Sequence, residues 1–169
     1  SLIPTTYADA LAEELAKATN ELKAAVSSDP NARMNVYQAL FDAADDLDKN
    51  ALKNVSDVPG IKRGFNAMME SMGEALKAQG IKVAPDGSVD LAAANMLKQG
   101  VGEAGAWLHG PGGKVITDPD SIANAKVANA FYAKLKEGIE KTPMGPQIKA
   151  INQRISELIP IKNAVARRI

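Results

Sequence analysis

"LAEELAKATNELKAAV", residues 11–26, carries the period on which the fold turns. Leu11, Leu15, Ala18, Leu22 and Val26 recur in it at steps of four, three, four and four. Residues three and four apart share a helix face, so this spacing writes one continuous apolar stripe along an α-helix. Glu13, Glu14, Lys17, Glu21 and Lys23 take the remaining faces. Thr6 is placed to cap the first turn, with Asp9 three residues on. The pattern predicts a helix from Tyr7 to Ser27, closed by the "SSDPNAR" stretch that follows.

The same period recurs along the chain. A second helix is predicted over 31–53, opened by Pro30, with Val36, Leu40, Ala44 and Leu47 as its stripe and Tyr37, Phe41 and Ala51 widening it. "NVSDVPG" interrupts it. A third, over 61–79, turns Ile61, Phe65, Met68, Met69, Met72 and Leu76 inward and ends at Gly80, a natural C-terminal cap. A fourth spans 90–109, with Leu91, Met96, Leu97, Val101, Ala104, Trp107 and Leu108. Gly100, Gly102 and Gly105 weaken it by up to about 1 kcal/mol each, which points to close helix approach or a local break. A fifth spans 119–141, with Ile122, Val127, Ala130, Phe131, Leu135 and Ile139 inward, and the tail helix starts at 146 after "TPMGP".

One stretch departs from the helical period. In "IKVAPDGSVDL", residues 81–91, Ile81 and Val83 alternate with polar residues, Pro85-Asp86-Gly87 reads as a turn, and Val89 and Leu91 alternate again. This predicts a small hairpin or an extended connector around a turn. No internal repeat is visible in the residues.

Composition agrees with helices. Apolar residues make up 46% of the 169, rich in Ala, against only three Phe, three Tyr and one Trp. Such a core suits closely packed helices better than a β-sandwich. The fold class is therefore all-α: an irregular bundle of five or six helices with a short insert near 81–91. Residues 1–145 would form the bundle and 146–169 a proline-kinked arm packed on it.

Charge and composition also narrow function. Twenty basic residues balance twenty acidic ones, which argues against a nucleic-acid partner or an anionic lipid surface. The absence of cysteine removes disulfides, thiolate catalysis and cysteine-based zinc sites. No apolar run is long enough to span a membrane. The start lacks the pattern of a secretion signal. A chain beginning at Ser1 reads as a processed product or a fragment of a longer protein.

Three stretches invite chemistry. "HGPGGK", 109–114, suggests a phosphate loop, but the position for its first Gly holds Leu108 and Val115 follows the lysine. His109 is the only histidine, so a transition-metal site lacks ligands, and no Gly-x-Ser-x-Gly elbow supports a hydrolase. The polar run from His109 to Asp120, with Lys114 and Asp118, is where a helical enzyme or effector would keep its site. "DLDKNALKNVSD", 46–57, offers Asp46, Asp48, Asn50, Asn54 and Asp57 at the first, third, fifth, ninth and twelfth positions of a calcium loop. Ala51 there replaces the turn glycine and Lys53 replaces an apolar residue. That loop would serve a calcium-responsive helical module; its simpler reading is the polar face of the second helix. No residue set calls for a cofactor.

The tail, "NQRISELIPIKNAVARRI", carries Ile155, Leu158 and Ile159, which continue the apolar spacing of Ile148 and Ile151, then Ile161, Val165 and Ile169 at steps of four. Pro160 removes a backbone donor and biases Ile159 away from helical angles, so a kink or a two-helix break is expected there. One apolar face could then pack on the preceding helix. The second arm, with Ile161, Val165, Arg167, Arg168 and Ile169, is the segment expected to meet a protein partner or a second copy.

Residues 127–165, "VANAFYAKLKEGIEKTPMGPQIKAINQRISELIPIKNAV", resemble helical segments of tailed-bacteriophage virion structural proteins. The features are a helix bearing Phe131 and Tyr132, a Pro/Gly break, and then Asn152, Arg154, Ser156, Leu158 and Ile159 in an alternating pattern. The resemblance implies an internal, tape-measure-like or tail-associated role, in a virion or in the bacterial cytoplasm. It carries over no catalytic residue.

Overall fold

In this computed structural model the described residues are 6–51, 58–106 and 119–166; of 50, 51, 58, 103–106, 119–122 and 160–166 only the backbone is described. The elements run α1 (Tyr7–Ser27), β1 (Arg33–Asn35), α2 (Val36–Ala51), α3 (Val58–Ala78), β2 (Ser88–Asp90), α4 (Leu91–Ala106), α5 (Pro119–Glu140) and α6 (Gly145–Ala166). The protein is mainly helical, and the two short strands form one antiparallel ladder. Two compact units arise: Ser1–Pro30 with Glu140–Ile169, and Asn31–Ile139.

The first unit holds α1 and α6, which pack along each other. Thr6 caps α1 as its side chain suggested, Oγ1 accepting from Asp9 N at 3.0 Å. Leu11, Ala18, Leu22 and Val26 are buried, with Ala25 beside them; Leu15 is half-buried. On α6, Ile148 and Ile151 are buried, and each such side chain contributes about 1.5–3 kcal/mol when removed from water. The packing partner of α6 is thus the first helix of the chain, where the sequence suggested the preceding one. Beside this seam Arg154 Nη2 meets Glu21 Oε2 at 2.9 Å, with both side chains about 40% exposed.

Of the two outcomes expected at Ile159–Pro160, a kink or a two-helix break, the break does not occur: α6 runs on to Ala166 as a single helix. Proline removes one backbone hydrogen bond and crowds the carbonyl four residues back, which a helix accommodates by bending while the turns on both sides remain bonded.

The second unit is built on the ladder. Arg33 pairs with Asp90, Met34 with Val89 and Asn35 with Ser88. Each strand passes directly into a helix, and its last residue caps that helix: Asn35 Oδ1 accepts from Gln38 N at 2.9 Å, and Asp90 Oδ1 from Ala93 N at 2.8 Å. The second helix therefore begins at Val36, not at residue 31, because 33–35 are drawn into the ladder. The hairpin expected over 81–91 is not formed either. Residues 81–84 stay outside any strand, and Ser88–Asp90 pair with β1 instead. The alternative, an extended connector around a turn, describes this stretch.

α3 starts at Val58, earlier than its apolar stripe implied, with Pro59 in its first turn where a missing N–H is harmless. It ends in the capping motif that Gly80 announced: Gly80 N donates to Lys77 O and Ile81 N to Leu76 O, with Gly80 at φ +65°. The core of this unit is Val36, Leu40, Met72, Leu76, Val89, Leu91, Val127, Phe131, Leu135 and Ile139, all nearly inaccessible. Gly102 settles the choice between close approach and a break: α4 continues past it, and a Cβ there would lie 2.9 Å from the Tyr132 ring.

Candidate functional site

Two places in the second unit combine polar chemistry with defined geometry. The first is the end of the ladder. Asp86 and Gly87 form the turn before β2; Gly87 sits at φ +88°, a conformation side chains resist. Asp86 Oδ1 accepts from Ser88 N at 2.9 Å, and Asn35 Nδ2 donates to Asp86 O at 2.7 Å. Arg33 reaches across the ladder, Nε to Ser88 Oγ at 2.9 Å and Nη2 to Ser88 O at 2.8 Å. The bonds from Ser88, aided by the Arg33 charge, hold the Asp86 carboxyl below its usual range.

The second place is a cleft of about 350 Å³ between α2 and α3. Its lining is Phe41, Ala44, Asp45, Asp48, Ile61, Lys62, Phe65 and Asn66. The Phe41 and Phe65 rings lie 5.6 Å apart at 42°, a tilted pair, and Phe41 is 50% exposed. Asp45 is drawn to Lys49, one turn on, at 3.4 Å. The Phe41–Phe65 pair forms one wall of the cleft, with the Asp45 and Asp48 carboxylates and Lys62 also lining it.

The calcium reading of 46–57 meets a helix. Residues 46–51 belong to α2, whereas a calcium loop must wrap its ligands around the ion. Asp46 Oδ2 is engaged by Lys134 Nζ at 2.9 Å; that bond lowers the Asp46 pKa and raises that of Lys134. Asp48 lines the cleft, while the side chain of Asn50 and all of Asn54 and Asp57 lie outside the described residues. Among the described residues no group of three or more His, Cys, Asp or Glu could hold a metal ion. His109, Lys114 and Asp118 also lie outside them, as do Arg167, Arg168 and Ile169; Ile161 and Val165 are on α6, with backbone only described. Of the methionine patch, Met72 is buried and Met68 and Met69 are half-buried, as core residues would be.

Arg33, Asn35, Asp86 and Ser88 do not stand out in the sequence as a group. The signal was present in "PDGSVDL": an Asp-Gly turn followed by an apolar residue, a capping Asp and a helix.

No protein-family model, curated protein or solved structure matches this chain. No helix among the described residues is long and apolar enough to cross a membrane.

Proposed function

We propose that this chain is a non-enzymatic structural or protein-interaction module of a bacteriophage virion or of a larger phage-derived protein. The observation that carries the interaction reading is the half-exposed Phe41 at the mouth of an aromatic cleft. A large aromatic side chain half in water, beside a cleft lined by both apolar and charged residues, offers an anchor to a partner. Tyr7 and Ile159 add exposed apolar surface on the other unit. The viral assignment rests on the resemblance of residues 127–165 to virion helices.

The tail remains the second contact in this reading, through Ile161, Val165, Arg167, Arg168 and Ile169. The test is light scattering over a concentration series on the full chain, on Phe41→Ser and on Ile161→Ser/Val165→Ser. The expected result is a mass that rises with concentration and falls to that of a monomer in a variant. A chain that stays monomeric throughout removes self-association. Neighbouring genes for capsid and tail components would support the viral assignment, and a metabolic neighbourhood would count against it.

A further inference from the structure

The cleft between α2 and α3 has a charge as well as a shape. Phe41, Asp45 and Asp48 follow one another along α2 at spacings of four and three, so they share one face of that helix. Ile61 and Phe65, four apart, line the cleft from α3. Lys62 offsets one of the two carboxylates, and the lining keeps an acidic excess. A volume of about 350 Å³ is room for one or two side chains, not for a folded element.

Two aromatic rings beside two carboxylates suit a cation that carries apolar surface of its own. A ring face attracts positive charge, and a carboxylate accepts paired N–H donors from a guanidinium. The bond from Lys49 to Asp45 does not block such a guest. It spans 3.4 Å with side chains 71% and 70% exposed, and pairs that open to water hold weakly and exchange readily.

The chain carries a segment of the complementary kind. Residues 158–169, "LIPIKNAVARRI", hold Lys162, Arg167 and Arg168 and no acidic residue. Because the chain is neutral overall, residues 1–157 carry three negative charges in excess. Leu158, Ile159, Ile161, Val165 and Ile169 give the same segment apolar surface, and Ile159 is 43% exposed. Two adjacent arginines match the two carboxylates in number, and the isoleucine beside them matches the rings.

Resting on the interaction role proposed above, we propose that the α2–α3 cleft of one copy takes the Arg167–Arg168–Ile169 segment of a second copy. The guanidinium groups meet Asp45 and Asp48, and the isoleucine lies against Phe41 and Phe65. Arginine fits this place better than lysine, since its planar group stacks on a ring while it binds a carboxylate.

The test is a charge reversal on the full chain, read by sedimentation velocity over a concentration series. Asp45→Lys with Asp48→Lys reverses the cleft, and Arg167→Glu with Arg168→Glu reverses the segment. Each variant alone should associate about tenfold more weakly than the parent, or less. Mixed together they should associate again, because each then meets a complement on the other. Association of the parent should weaken as salt rises. A peptide of residues 158–169 should shift the NMR ring signals of Phe41 and Phe65, and the peptide carrying both glutamates should not. Association that survives both reversals overturns the inference and leaves the interaction role standing on another surface. A parent chain that stays monomeric also overturns it; if that chain binds the peptide, the cleft belongs to a basic segment of a different protein. A chain that neither associates nor binds the peptide removes the cleft from the interaction role as well. Ring signals unmoved by the peptide overturn the inference even if the reversed-cleft variant does not fold.

Discussion

Arg33 and Ser88 stand 55 positions apart in sequence, and two hydrogen bonds from one guanidinium join them. That fork pins the turn at 86–87 to the start of α2, and so ties the two strand–helix junctions into one structure. The same pair helps explain why β2 bonds to β1 and not to its own upstream neighbour.

Helix capping at the junctions should be measurable one cap at a time. Asp90→Ala leaves the Ala93 N–H without its acceptor and should lower stability by about 1 kcal/mol. Asn35→Ala should cost more, because the amide also donates to Asp86 O. The shift of the urea midpoint, at unchanged slope, reads both.

Among the described residues Phe131 is the largest of the fully buried side chains, at 0% exposure on α5. Phe131→Ala should destabilise the chain by about 3–5 kcal/mol, with the cavity adding to the lost transfer energy. Phe41→Ser, at a half-exposed site, should move the same denaturant midpoint far less. Equal losses at the two positions would contradict the burial pattern.

Acid should weaken the turn through Asp86. Its carboxyl titrates below the ordinary value of 3.8, first through the bonds from Ser88 and then through the Arg33 charge. A depressed folded pKa adds stability that is fully present above 3.8 and is lost as pH falls through the lower folded value. Asp86→Asn should flatten the stability profile in that acidic window. Lys134, held above 10.5 chiefly by its bond to Asp46, acts at the opposite end: its contribution is full below 10.5 and fades as pH rises beyond it.

Removal of residues 146–169 should do more than delete a binding arm. It strips α1 of its packing partner and bares Leu11, Ala18, Leu22 and Val26. Circular dichroism should show helix lost beyond that of α6 itself, with dye binding to the exposed stripe. A truncated chain that keeps α1 helical and binds no dye would contradict the α1–α6 pairing.

The stripe at 11–26, the cap at Thr6 and the terminator at Gly80 were legible because each depends on residues within one or two turns. The interrupted period at 81–91 was legible as a departure, but its strand partner was not. A three-residue strand carries no pattern of its own, and Arg33–Asn35 read as helix until a second segment offered hydrogen bonds. Asp and Asn recur at 46–57, which is why a calcium motif suggests itself there, but residues 46–51 lie in α2. The turn at 86–87, by contrast, depends on φ at Gly87 and on what lies across the ladder.

The amino-acid sequence by itself determined that this protein is helical, where most of its helices begin and end, and the apolar face of most of them, though Phe41, read as part of the α2 stripe, stands 50% exposed while Ala39 and Ala43 are buried. Those features follow from local propensity, capping and a period of 3.6 residues per turn. Tertiary structure alone decided that α6 packs on α1, that Pro160 lies within a continuing helix, and that Arg33 closes on Ser88. Apolar stripes and short polar strands do not name their partners. The choice is made by the burial and hydrogen bonding gained when distant segments meet, and no single segment carries that information.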